Sequence, residues 1–341
     1  MSTRDRLVGT LLGTAVGDAL GLVTEGMSAH AIARRFGRVE RYRLLGRTGF
    51  VSDDTEQSAL VAQALIRHRR DPVACAKAFR WSLLGWFARL PWGLGFGTLR
   101  ACLRIGLGFR RSGVMSAGNG AAMRAAITGV VLADDAAMRA EMSRALAEVT
   151  HVDPRAVAGA MFVADVAAAC ARGSPNVDRA VLVRECLDAV EEPAIHASVT
   201  LALVQASSGV DVRAAATVLG NTGFIVHTAA LATFCFVRSG GMPRDALVET
   251  VSAGGDTDSI AAIVGAWLGA LHGETGLPHD LVAHLQRGPF GQAHLRALGE
   301  ALSDGSVGVG APTFSAAVAM ARNLALLPIV FVQGARAAVG V

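Results

Sequence analysis

Four glycines at positions 9, 13, 17 and 21 recur at a strict interval of four in a segment whose other members are largely apolar: Leu7, Val8, Leu11, Leu12, Ala15, Val16 and Leu20. A glycine inside a helix costs about 1 kcal/mol relative to alanine, so a whole face of them needs compensation. Removing Cβ atoms along one face lets another backbone come close. The same interval recurs near the other end of the chain, at Gly265, Gly269 and Gly273. Two helices that each present a smooth glycine face can be each other's neighbours.

The remaining composition suits a body of tightly packed small-residue helices. Of 341 residues, 52% are hydrophobic, 39 are glycine, 18% are charged and only 5% are aromatic, with a mean hydropathy of +0.42. No period-two alternation persists, and no repeat of about 20 to 50 residues is evident. The most apolar runs, 156–171, 222–237 and 324–332, are interrupted by Asp165, His227 and Pro328. They fall short of the ~20 uninterrupted apolar residues of a bilayer span and read as buried core helices. The first residues carry no secretory signal pattern. Five dispersed cysteines (Cys75, Cys102, Cys170, Cys186, Cys235) lack C-x-x-C spacing and read as small core residues in a reducing compartment. The expected location is cytoplasmic. The formal charge of +4 gathers at Arg67, Arg69 and Arg70 and at Arg110 and Arg111, which read as solvated helix ends; neither a membrane nor a nucleic acid is an expected partner.

Two short acidic stretches carry the chemistry. Gly254-Gly255-Asp256-Thr257-Asp258-Ser259 runs straight into the apolar segment 260–271. In mid-helix, residues i and i+2 point about 200° apart, but in the turn that feeds a helix both carboxylates can converge on one point. Ser52-Asp53-Asp54-Thr55-Glu56 repeats the arrangement after Gly46 and Gly49, before a helix with Leu60, Val61, Ala64 and Leu65 on one face. Helix capping accounts for part of this, since Asp, Ser and Thr are preferred N-caps and Asp53 with Glu56 fits a capping box. It leaves Ser52, Asp54 and one acid of the second pair over. If the clusters meet, each pair of carboxylates ~4 Å apart repels by about 4 kcal/mol at an effective dielectric of 20, against a whole-domain stability of about 5 to 15 kcal/mol. Protons or divalent cations must neutralise them. All-oxygen donors without paired His or Cys favour Mg²⁺, Mn²⁺ or Ca²⁺ over Zn²⁺.

Other candidates are weaker singly. Glu25 follows the first glycine-striped helix, beside Gly26 in an apolar stretch, although a lone loop glutamate is ordinarily solvated. Gly118-Asn119-Gly120 is a turn opening a helix, where backbone N–H groups can cradle phosphate oxygens; Asn-Gly is also a common turn. Asp153 before Pro154 is a sufficient cap for the next helix, which leaves His151 as the extra residue of Thr150-His151-Val152-Asp153-Pro154. The segment 135–148 reads as an amphipathic helix with Met138, Met142 and Leu146 inward and Arg139, Glu141 and Arg144 outward. Residues 303–341 carry a helix around 314–326 and no readable chemistry.

Taken together, Gly17-Asp-Ala-Leu-Gly21 with Glu25, Ser52-Asp-Asp-Thr55, Gly118-Asn-Gly-Ala-Ala-Met-Arg124, Thr150-His-Val-Asp-Pro154 and Gly254-Gly-Asp-Thr-Asp-Ser259 resemble the ADP-ribosylglycohydrolase family, of the dinitrogenase-reductase-activating type. The motifs stand in family order. Departures are Ser52 and Ser259 where threonine is common, both keeping the hydroxyl, and Ile127 where proline is frequent. The resemblance implies an all-α, single-domain orthogonal helical bundle over residues 1–341, and a hydrolase with two Mg²⁺ or Mn²⁺ ions. It implies that Ser52, Asp53, Asp54, Asp256, Asp258 and Ser259 supply metal ligands, that Glu25 is the acid near the scissile bond, that Gly118, Asn119 and Gly120 line the diphosphate, and that His151 flanks the ligand. The expected partner is an ADP-ribose-modified protein or a small ADP-ribose conjugate, its acceptor left open among Arg, Ser, nucleic acid and small molecules. Hydrolysis of a free ADP-ribose derivative is the alternative within enzymes. A catalytically silent ADP-ribose binder would be favoured by loss of Glu25 or an aspartate, and none is lost.

Overall fold

The computed structural model describes residues 1–239, 242–305 and 310–339. Among them the regular structure is helical and no strand occurs; extended pairing is limited to isolated bridges such as Ser28 with Gly254 and Val114 with His151. The helices follow in order as α1 (Thr3–Gly21), α2 (Ala29–Phe36), α3 (Asp53–His68), α4 (Pro72–Phe87), α5 (Phe96–Gly106) and α6 (Ala126–Val131). Next come α7 (Ala136–Glu148), α8 (Pro154–Arg172), α9 (Arg179–Leu187), α10 (Pro193–Ser207), α11 (Val212–Leu219) and α12 (Ile225–Arg238). The last five are α13 (Pro243–Val251), α14 (Thr257–His272), α15 (His279–Ala283), α16 (Gln292–Ser303) and α17 (Ala316–Val339). Many starts obey simple capping chemistry. Asp71, Asp153 and Glu192 each cap a helix whose first residue is proline, a position where the missing N–H is not needed.

The two glycine faces meet. A Cβ on Gly9 would lie 2.5 Å from the Gly269 carbonyl oxygen, one on Gly13 2.1 Å from that of Gly265, and one on Gly17 1.9 Å from that of Ala261. Gly265 and Gly269 are blocked in return, at 2.1 and 1.9 Å, by the carbonyls of Gly13 and Gly9. Real side chains do not fit at such distances, so α1 and α14 touch backbone to backbone at the centre. Every residue of α14 from Thr257 to Leu271 is buried. Gly273 differs from the others: its φ of 69° ends α14. Arg6 ties the pair down, donating to the carbonyls of Ala270 in α14 and Cys170 at the end of α8.

One apolar cluster runs through the body from Leu7 to Ala311. By length and composition α1, extended through Thr24, and α8 could each cross a bilayer, yet their apolar windows are 94% and 61% buried inside the fold. Asp165 does not break α8. Arg139, expected outward, turns inward and bonds Asp165 at 2.7 Å, a tertiary ion pair that overrides the amphipathic pattern of α7. The C-terminal helix also differs from expectation: α17 continues through Pro328 to Val339, because one proline removes one N–H bond and need not stop a helix.

Candidate active site

The site forms where the end of α1 and the starts of α3 and α14 converge. Asp18, fully buried in α1, accepts the Ser52 N–H at 3.0 Å, the Thr55 N–H at 3.2 Å and the Thr55 hydroxyl. It therefore caps α3 from another helix. Ser52 is the N-cap by backbone, its hydroxyl accepting from the Asp54 N–H at 3.3 Å. This overturns the Asp53–Glu56 capping box: Glu56 sits one position too late. Its Oε2 instead accepts the Trp86 indole N–H at 2.7 Å, and its Oε1 pairs with Arg322.

The second acidic stretch is shaped by Gly254 and Gly255, at φ 71° and 79°, which L side chains rarely adopt. That turn is zipped to the segment carrying Glu25: the Gly26 N–H donates to the Gly255 carbonyl and the Gly255 N–H to the Met27 carbonyl, each at 2.8 Å. Asp256 stands at the N-cap of α14 without making a capping bond. Its Oδ2 accepts from the Asn119 amide at 2.7 Å. The two clusters touch through Ser259, whose hydroxyl donates to Asp54 Oδ2 at 3.3 Å, and the Ser52 hydroxyl reaches the same oxygen at 3.2 Å. Asp53 is steadied by the Gln57 amide at 3.0 Å.

Glu25, Asp53, Asp54, Asp256, Asp258 and Ser259, together with Gly118, Asn119, Gly120 and His151, line a cavity of about 630 Å³, a size in the ordinary range for small-molecule sites. Ser52 lies behind the wall. Burial, then the neighbouring charges of Asp256 and Asp18, lifts Glu25 from 4.5 to about 7. Burial also lifts Asp18 to about 6 against its hydrogen bonds, and pushes Asp53, Asp54 and Asp258 well above the usual carboxylate range, with neighbouring acids adding to it. For Asp258 the neighbouring charges are those of Glu25, Asp256 and Asp54. The predicted repulsion is thus present.

The Gly118–Gly120 turn is built differently from a phosphate-cradling loop. The Asn119 N–H is taken by the Gly223 carbonyl at 2.9 Å, and its side-chain amide is shared between Asp256 and the Thr228 hydroxyl. The Gly118 N–H is directed at the Ser116 hydroxyl. Gly97, Gly118 and Gly120 make room for the His151 ring, whose Nε2 would lie 2.6 Å from a Cβ on Gly97. Burial and the Arg124 charge hold His151 down at about 3, so it is neutral. Arg124 itself, fully buried, bonds Gln57 at 2.8 Å and the Thr150 hydroxyl at 2.6 Å, and Thr150 in turn meets His151 Nδ1 at 2.8 Å. Asp18, Gln57 and Arg124 went unassigned at the sequence level. The signals for Asp18 were its charge in an otherwise apolar segment and its place in the Gly17-Asp-Ala-Leu-Gly21 motif.

The donor set fits a hard divalent cation. Asp54 Oδ1 is buried with no hydrogen-bond partner, in a wall of oxygen ligands where uncompensated charge is costly. Among the described residues no three His, Cys, Asp or Glu side chains are already gathered as a finished cage; each acid is tied to a protein neighbour instead.

An all-helical body with an acid-walled cavity at two helix N-termini is what fold and site define. The sequence model of the ADP-ribosylglycohydrolase family matches residues 1–312. An uncharacterised protein of Archaeoglobus fulgidus is 32% identical over 268 residues, covering 76% of this chain and 85% of that one. The ADP-ribosyl-dinitrogen reductase glycohydrolase of Rhodospirillum rubrum is 26% identical over 301 residues, covering 83% and 91%. A solved structure described as an ADP-ribosylglycohydrolase-related protein complex superposes with a TM-score of 0.68 at 24% identity, over 89% of this chain and 98% of that one, which shows the shared fold. The chain belongs to the ADP-ribosylglycohydrolase family, and so to the hydrolases.

Proposed function

We propose that the protein hydrolyses the glycosidic bond between ADP-ribose and a modified protein side chain or small acceptor, with Asp53, Asp54, Asp256, Asp258 and Ser259 holding two Mg²⁺ or Mn²⁺ ions and Ser52 supporting them through Asp54. The observation that carries this reading is the partnerless, buried Asp54 Oδ1 in a wall of acids. Bound divalent ions would supply neutralising charge and a grip on ribose hydroxyls. Glu25, half-buried and titrating at about 7, can hold or accept a proton near neutral pH, which suits a group orienting or deprotonating the attacking water. Cleavage builds positive charge at the anomeric carbon, and a carboxylate of the cavity such as Glu25 stabilises that charge. Neutral His151 and the Gly118–Gly120 wall leave room for the diphosphate without adding charge. The free, mostly buried cysteines suit a reducing, cytoplasmic setting. The relative from Rhodospirillum rubrum is named for an ADP-ribosylated protein, so a protein acceptor comes first in the test.

Release of ADP-ribose is to be assayed from Arg-linked and Ser-linked ADP-ribosyl peptides and from a free ADP-ribose derivative, with Mg²⁺, with Mn²⁺ and with chelator. Metal-dependent release from a peptide is expected. Release from the free derivative alone moves the substrate to that class, and tight ADP-ribose binding without any release makes the protein a binder rather than an enzyme.

A further inference from the structure

The family match ends at residue 312, yet α17, which begins at Ala316, reaches the back of the acidic wall. Arg322 on this helix pairs with Glu56 Oε1, both side chains nearly buried at 12% and 3% exposure. Glu56 lies in the turn that presents Asp53 and Asp54, and its second oxygen is held by Trp86 at 2.7 Å. The carboxylate is therefore bracketed by two donors, and Glu56 does not line the cavity.

The next residue of α17 acts on the loop that follows α4. The Asn323 amide, 1% exposed, donates to the Arg89 carbonyl at 2.9 Å while its Oδ1 accepts from Arg322 at 2.7 Å. Arg89 precedes Leu90, which is held at φ 55°, a conformation costly for a side-chain-bearing residue and kept only where surroundings impose it. One turn on, Leu326 packs with Trp92 and Leu22 in a small apolar cluster separate from the main core. Trp92 leads into Gly93, where a Cβ would lie 2.5 Å from Asp53 Oδ1, and Gly93 lines the cavity.

We infer that α17 is a clasp on the candidate metal site, with Arg322 and Asn323 as positioning residues: they hold Glu56 back and press the 89–95 loop against Asp53. Among the described residues none of α17 lines the cavity, so the clasp works through Glu56 and the loop. The inference rests on the reading of the acids as a metal site, and its test separates the two.

In the full chain, Arg322→Ala, Arg322→Lys and Asn323→Ala are compared with wild type by calorimetric Mn²⁺ titration, amide hydrogen exchange of peptides spanning 88–98, and steady-state kinetics. Removing such supporting contacts weakens metal binding by about 10- to 100-fold. The expectation is at least a tenfold loss of Mn²⁺ affinity and kcat in Arg322→Ala, with KM little changed and partial recovery in Arg322→Lys. Exchange of the loop accelerates by about tenfold in Asn323→Ala, with core peptides unchanged. In a Glu56→Gln background the Arg322→Ala effect on Mn²⁺ affinity shrinks, since the ion pair is already gone. Unchanged loop exchange together with unchanged Mn²⁺ affinity in folded Arg322→Ala and Asn323→Ala overturns the clasp. A wild type that binds no Mn²⁺ fells the metal reading instead, and loop exchange then decides the clasp alone.

Discussion

Raising the pH of the metal-free protein from about 5 to about 8 is expected to destabilise it, and Mn²⁺ to reverse most of the loss. Asp18 titrates at about 6 in the fold against an ordinary 3.8, and Glu25 at about 7 against 4.5. Both folded values lie above the unfolded ones, so the folded state keeps these protons after the unfolded chain has released them. The stabilisation is complete below about pH 4 and is lost as pH rises through 6 and then 7. At 1.36 kcal/mol per pKa unit, fully buried Asp18, raised from 3.8 to about 6, loses about 3 kcal/mol in all, of which about 1.4 kcal/mol falls above pH 5; Glu25 is partly open to the cavity, and solvent screening reduces its share. Asp53, Asp54 and Asp258 act in the same direction. For a chain of this size, about 2 °C of melting temperature corresponds to each kcal/mol, so the metal-free protein should lose at least about 3 °C across the interval. A cation at a hundredfold excess over its dissociation constant restores about 2.7 kcal/mol. It should do so at pH 8 and much less at pH 5, where protons already neutralise the acids. Scanning calorimetry at the two pH values, with chelator and with Mn²⁺, decides it. A metal-free melting temperature that stays level or rises, or an equal Mn²⁺ effect at both pH values, refutes the shared-charge picture.

Glu25→Gln is expected to lower turnover by about 10²-fold or more while the Mn²⁺ shift in melting temperature persists; near-normal turnover removes Glu25 from the chemistry. Asn119→Ala releases Asp256 Oδ2 and is expected to weaken Mn²⁺ binding by about tenfold, measured by calorimetry; an unchanged affinity means the amide does not set that carboxylate. Gly13→Ala drives a Cβ to 2.1 Å from a carbonyl oxygen and is expected to cost about 1–3 kcal/mol or more from overpacking, read from urea denaturation. A neutral result there contradicts the backbone contact.

What was legible in the sequence had a local anomaly that only a distant partner could explain. Glycine faces destabilise isolated helices, so their pairing could be inferred; surplus acids at two helix starts exceed capping, so their meeting could be inferred, and Ser259 touching Asp54 is that meeting. What was not legible lacked any such excess. Asp18 finds its partners 34 and 37 residues on, and nothing near it in the chain announces them. Arg139 reads as a surface cation and Arg322 falls in a stretch without readable chemistry, because an ion pair with Asp165 or Glu56 depends on how helices pack, which periodicity does not encode. Glu56 misled in the opposite way. Its spacing from Asp53 satisfies a local rule, but Ser52 takes the cap and frees Glu56 for Trp86 and Arg322.

The glycine faces and the acidic site are one construction. The last rung of the α1–α14 contact is Gly21 against Thr257, where a Cβ would lie 2.4 Å from the Thr257 carbonyl oxygen. The Thr257 hydroxyl donates to the Gly21 carbonyl at 2.9 Å and lies 3.0 Å from the Thr24 hydroxyl. That rung fixes the exit of α1, and so Glu25, relative to Asp256 and Asp258 on either side of Thr257. Three residues back on the same helix, Asp18 caps α3 and fixes Asp53 and Asp54 to the same frame. The interval of four therefore does two things: it lets the helices touch, and it sets the register in which carboxylates from three segments face one cavity. A side chain larger than hydrogen anywhere on the face would spread the acids before it emptied the core.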